Sequence, residues 1–207
     1  MSWSILRPRR PAPTDTSAKR DLLLAEYTEL KQEQRLRIGT RDNLLYATLA
    51  ALAGVLGVAF TGHCAACLLL APPACLILGW TYHANDVVIA TIGAYLRTTL
   101  APRLAALTGT TDVALGWETA RLLGPDRELR KVGQLAIDLL AFVVAPDAAI
   151  AGYVVLGHGL PVLTAAAALE AALTLLLALR FFTWARHRDR HRSGAVRHAG
   201  VGRVREL

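Results

Sequence analysis

The 23 Lys and Arg residues of this chain fall in three blocks and nowhere else. Nine precede position 43, six lie between 97 and 131, and eight run from Arg180 onward. Four apolar stretches lie between and beside these blocks, at 43–61, 64–83, 133–156 and 160–184. Each is close to the ~20 residues that carry an α-helix across a hydrocarbon core. The links at Gly62-His63 and Gly157-His158-Gly159 contain no Lys or Arg. Basic residues collect on the cytoplasmic side, so both termini and the central loop are expected inside. The pattern predicts an all-α integral membrane protein with four transmembrane helices arranged as two antiparallel hairpins. Buried core helices of a soluble bundle would explain the apolar runs, but neither their lipid-matched length nor the charge asymmetry.

Composition agrees. Hydrophobic residues make up 54% of the 207, yet the formal net charge is +7, so charge and apolarity are segregated along the chain. Arg outnumbers Lys by 20 to 3 in an Ala- and Leu-rich background, the composition of a high-GC bacterial genome; the expected location is the bacterial cytoplasmic membrane. Residues 1–17 carry Arg7, Arg9, Arg10 and three prolines with no apolar core after them, and read as a flexible arm rather than a signal peptide. Cys64, Cys67 and Cys75 are too few and too clustered for a disulfide framework. Tyr46, Trp80, Tyr82 and Trp184 fall where an interfacial aromatic belt would sit. Ala50 with Gly54, Ala53 with Gly57, Ala167 with Ala171 and Ala168 with Ala172 give the small-residue spacing that permits close helix approach, within the chain or in a homo-oligomer.

Outside the spans, 18–40 reads as an amphipathic helix with Leu23, Tyr27 and Leu30 on one face. A second helix at 84–101 carries Val88, Ile92, Tyr95, Leu96 and Leu100 and stops near Pro102. Folding the chain about Gly62 sets Leu23 near Leu100 and Tyr27 near Leu96, so the two stripes meet as a cytosolic antiparallel pair extending the first hairpin. The competing arrangement lays 84–101 flat on the membrane surface. Loop 102–132 is expected to hold a short interfacial helix around 112–123. The tail 185–207 presents Arg186, Arg188, Arg190 and Arg192 to anionic lipid headgroups, each basic residue contributing on the order of 1 kcal/mol. Such a juxtamembrane tail favours lipid over nucleic acid as the partner.

Several short motifs carry a resemblance. Trp80, Asn85-Asp86, the run Ile92-Gly93-Ala94-Tyr95-Leu96-Arg97 and Gly116-Trp117-Glu118 follow an acidic-basic helix between Glu26 and Arg37. Together they resemble a group of small, actinobacterial-like multi-span membrane proteins. That resemblance implies the topology and brings no catalytic residues.

Asp147 and Glu170 are the candidate chemistry. Each lies about 15 Å from the link at 157–159, near the expected midplane and on adjacent helices. Carboxylates there face the protein interior, take up a proton or bind a cation. Pro72-Pro73 and Pro146 are expected to free carbonyls near Leu68, Leu69 and Phe142, which with the two acids would form a proton or cation site. The plainer alternative is that each acid is a structural hydrogen-bonding group between helices. Asp138 is placed near the cytoplasmic interface. His63, Cys64, Cys67 and His158 are legitimate metal ligands, but their spacing does not fix four ligands, and no metal or other cofactor is expected. No nucleotide-binding loop, nucleophile elbow or zincin motif is present, so enzymatic activity is not expected.

The function expected is that of a non-enzymatic membrane scaffold or accessory protein whose cytosolic helices bind a partner or another copy, with Glu29, Glu33 and Arg97 on that surface. The alternative is an ion- or proton-conducting or membrane-permeabilising oligomer, such as a bacterial defence effector, using the midplane carboxylates.

Overall fold

The structure is a computed structural model that describes residues 15–108, 127–156 and 160–203. The described residues are helical apart from the link at 62–64 and Leu160, and no strand occurs among them. In chain order the elements are α1 (Asp15–Thr61), a 3₁₀ segment (Ala65–Leu70), α2 (Ala71–Tyr95), a π-turn (Leu96–Leu100), α3 (Ala101–Thr108), α4 (Arg127–Leu139), a second π-turn (Leu140–Val144), α5 (Ala145–Leu156) and α6 (Pro161–Arg203). Four helical stretches are long and apolar enough to cross a membrane: Asp15–Thr61, Ala65–Leu107, Val132–Leu156 and Pro161–Arg186. The 112–123 segment, the Gly116-Trp117-Glu118 motif and His158 lie outside the described residues.

Departures from α-helix track the prolines. Proline has no N–H to give to the carbonyl four residues back, and its ring crowds that carbonyl. The turn before Pro102 is π-helical, with the Ala101 N–H bonding Leu96 O. The same occurs before Pro146, where the Ala145 N–H bonds Leu140 O. Inserting one residue into the ladder lets the helix run through a missing donor. Before Pro72-Pro73 the chain tightens instead, and the Ala71 N–H bonds Leu68 O. Leu68 O, expected from the sequence to be freed, is therefore occupied.

The chain divides into two compact units, and α1 and α2 contribute to both. The described part of the first comprises 15–36 and 89–108. Leu23, Ile92, Leu96 and Leu100 are buried along its seam. Tyr95 Oη donates to the Glu26 carboxylate at 2.6 Å, and Gln34 Nε2 donates to Ile89 O at 3.3 Å. These pairings run antiparallel, within about a turn of the register that sets Tyr27 near Leu96. Bonding to the Glu26 carboxylate holds the Tyr95 phenol above its ordinary pKa.

The second unit comprises 37–88, 127–156 and 160–203 among described residues. Two apolar clusters form its core. One gathers Ala59, Leu68, Leu69, Ala149, Ile150, Tyr153 and Ala167. The other gathers Tyr82, Ala141, Phe142, Leu177 and Phe181. In the second cluster the Tyr82 and Phe142 rings lie 5.0 Å apart, with Phe142 and Phe181 stacked at 6.0 Å. Gly79 permits this packing, because a Cβ there would stand 2.9 Å from both Leu177 and Phe142. The apolar stretch of α1 is the least enclosed, with 6% of its most apolar window buried against 39% in the following stretch. Ala50, Ala53, Gly54 and Gly57 are exposed on it.

Helix α1 ends in a hydrogen-bonded stop. Cys64 N–H reaches back to Ala59 O at 3.1 Å, while His63 takes a left-handed backbone conformation with φ 46°. This six-to-one closure is the Schellman pattern, in which glycine usually holds the left-handed position that histidine occupies here.

Candidate functional site

Asp147 sits in the first turn of α5, directly after Pro146. Its carboxylate accepts from Thr174 Oγ1 on α6 at 2.8 Å. Thr174 is fully buried, and Glu170 O and Ala171 O also lie within 3.1 Å of its hydroxyl. Glu170 is one helical turn away from Thr174 on the same helix. Its Oε2 is buried and has no hydrogen-bond partner among the described residues. The Tyr153 hydroxyl is buried in the same condition. The structure thus brings Asp147 to the helix that carries Glu170, through Thr174 one turn along that helix. No hydrogen bond joins the two carboxylates among the described residues. Asp147 has a donor; Glu170 Oε2 has none.

A larger polar assembly lies toward the other end of the same helices. Tyr82 Oη donates to Asp138 Oδ1 at 2.7 Å, joining α2 to α4. Gln134 Nε2 contacts both, at 2.7 Å from Tyr82 Oη and 2.9 Å from Asp138 Oδ1. Asp138, expected near the cytoplasmic interface, is buried, and these donors take the place of water. Close by, Asp86 on α2 accepts from Arg41 of α1 at 3.5 Å and from Trp184 Nε1 of α6 at 3.1 Å. Arg41 also lies over the Tyr82 ring, 5.8 Å from its centroid, and Arg37 donates to Asn85 Oδ1 at 3.3 Å. Burial works against the Arg41 charge, yet Tyr82, Asp42 and Asp86 more than offset it and raise its pKa. The assembly cross-links α1, α2, α4 and α6 through side chains that satisfy one another, and it is arranged as a fastening rather than a cleft.

Tyr82 and Trp184 were expected as belt aromatics. Tyr82 is instead buried and Trp184 half-buried, both spending their polar tips on acids, whereas Tyr46 and Trp80 are exposed. The sequence signals available for this assembly are Asp138 inside an apolar run and Tyr82 one turn before Asp86. Neither says which helix supplies the partner.

In the first unit, Glu29 and Glu33 are exposed on α1, while Arg97 is half-buried with its guanidinium close over Gly93. Cys64 and Cys67 are half-buried and free, Cys75 is buried and free, and His63 is exposed. No group of three or more His, Cys, Asp or Glu side chains is placed to hold a metal ion among the described residues. Arg186 lies 4.5 Å from the Phe182 ring; Arg188, Arg190 and Arg192 continue on the α6 backbone.

The fold and side-chain geometry define an all-helical protein with four membrane-length apolar helices fastened at one end by a buried polar assembly. No family model matches the sequence, and neither a curated protein nor a solved structure matches it.

Proposed function

We propose that this protein is a non-enzymatic scaffold or accessory subunit of the bacterial cytoplasmic membrane. It spans the bilayer four times with both termini inside, and its cytosolic helix pair binds a protein partner or another copy of the chain. The observation that carries this reading is the division of labour on α1 within the first unit. Leu23 and Glu26 are occupied by packing and bonding to the 89–108 segment. On the flank of α1 beside Glu26, Leu22 is 70% and Leu36 66% exposed, and Glu29 and Glu33 are exposed on the same flank. Two exposed leucines and two exposed acids on one flank of a helix are groups a second helix could engage. Charge reversal at Glu29 and Glu33 with Leu22→Ala should abolish capture of a crosslinked partner or self-crosslinking while leaving membrane insertion intact. Unchanged crosslinking would count against this surface.

The second reading, conduction of protons or cations, is favoured by one observation, the buried Glu170 Oε2 without a partner among the described residues. An acid in that condition is either protonated or waiting for a mobile cation. It ranks second because Asp147 is already engaged by Thr174. Flux in liposomes, compared between wild type and the Asp147→Asn/Glu170→Gln variant, separates the two readings.

A further inference from the structure

An open groove of about 860 Å³ runs along the outside of the second unit between α2 and α6. Ile77 and Leu76 form one wall, Leu173 and Leu176 the other, and Trp80 and Arg180 stand together at one end. Arg180 lies seven residues beyond Leu173, so the apolar walls extend for roughly 10 Å. The guanidinium sits 5.8 Å from the Trp80 ring centroid, a cation–π distance that holds it at the mouth. Both residues are exposed, and no carboxylate pairs with Arg180 among the described residues. Ile77 is 68% and Leu176 58% exposed along the walls.

We infer that this groove binds one anionic phospholipid, with its phosphate on Arg180 and an acyl chain between α2 and α6. The inference rests on the membrane reading above. Charge complementarity commits the site to an anion. Two hydroxyls line the mouth, but Thr81 Oγ1 donates to Ile77 O and Thr183 Oγ1 donates to Arg180 O, so their protons are already used. The Trp80 indole N–H and the Arg180 guanidinium are the donors at that end, and the charged one is Arg180. Its planar fork suits two phosphate oxygens at once, which a neutral headgroup portion cannot match. The apolar walls favour a ligand with a hydrocarbon chain over free phosphate.

The test is native mass spectrometry of the full chain in detergent, loaded with phosphatidylglycerol or with phosphatidylcholine. Wild type should retain one phosphatidylglycerol about tenfold better than phosphatidylcholine. Arg180→Gln should erase that preference, Arg180→Lys should restore part of it, and Ile77→Trp, which fills the groove, should lower retention of both lipids. Arg186→Gln, which removes one cation of the tail, should lower the preference by less than Arg180→Gln does. Equal retention of the two lipids by wild type overturns the site. So does an Arg186→Gln loss as large as that of Arg180→Gln, which would mean diffuse surface charge, or disulfide crosslinking of Ile77→Cys between copies, which would mean a protein-covered groove. Alkaline extraction of native membranes keeps these outcomes apart from failure of the membrane reading: release into the soluble fraction would overturn that reading itself, while retention with no lipid preference removes only the groove.

Discussion

Within one helical unit, two sets of acids receive opposite treatment. Asp86 and Asp138 are each bonded by side chains from other helices: Arg41 and Trp184 for the first, Tyr82 for the second with Gln134 alongside. Among the described residues Asp147 Oδ1 accepts from Thr174, and Glu170 Oε2 has no donor. Donor supply separates an acid that fastens helices from one that is merely tolerated. Where donors converge on it, the carboxylate is held in place and organises its surroundings. Where they do not, burial of a charge would cost several kcal/mol and the group is neutral or awaits a cation. The comparison therefore assigns Asp86 and Asp138 to architecture and leaves Glu170 as the chemically open residue.

The largest effect should come from breaking the fastening. Asp86→Ala removes one of two carboxylate partners of Arg41, leaving Asp42 at 3.2 Å, and takes from Trp184 Nε1 its 3.1 Å acceptor, with the Arg41 and Asp86 side chains only 22% and 16% exposed. A loss of about 2–3 kcal/mol is expected after allowing for residual solvent, read as a lower thermal midpoint in detergent. A loss below 0.5 kcal/mol would place this ion pair with ordinary surface pairs.

Tyr82→Phe should cost less, about 1–2 kcal/mol, because the ring stays packed on Phe142 while Asp138 loses a 2.7 Å donor and keeps Gln134. A double-mutant cycle with Asp138→Asn should show coupling; additive effects would mean that the short contact carries no energy of its own.

Glu170→Gln should be within about 0.5 kcal/mol of wild type, or slightly stabilising, since it removes an acid whose Oε2 has no donor. A loss as large as that of Tyr82→Phe would erase the contrast between the two sets.

The smallest expected change lies at the α1 stop. His63 holds a left-handed conformation that costs a non-glycine residue roughly 1 kcal/mol, so His63→Gly should stabilise by about 0.5–1 kcal/mol. Equilibrium unfolding of the variant checks the sign; destabilisation would mean that the imidazole makes a compensating contact.

The apolar stretches were legible because length and the positions of Lys and Arg are one-dimensional properties. The ends of the third and fourth helical stretches, near Leu156 and Pro161, follow from the glycines between them. Much of the side-chain pairing was not legible. In helices apolar all round, no stripe marks the inward face, so nothing near Asp138 in sequence identifies Tyr82, 56 residues away, as its partner. Asp147 and Glu170 stood out by depth alone, and depth does not reveal that Asp147 is bonded by Thr174, one turn from Glu170. The prolines announced irregular backbone, but whether it would widen before Pro146 or tighten before Pro72 depended on packing.

The most direct test of the scaffold reading is proton and ion flux through the purified, correctly inserted protein in liposomes, with Asp147→Asn/Glu170→Gln alongside. The account predicts no flux above empty liposomes for either protein. Flux in wild type that disappears in the double variant would contradict it and make the acids of α5 and α6 the working site.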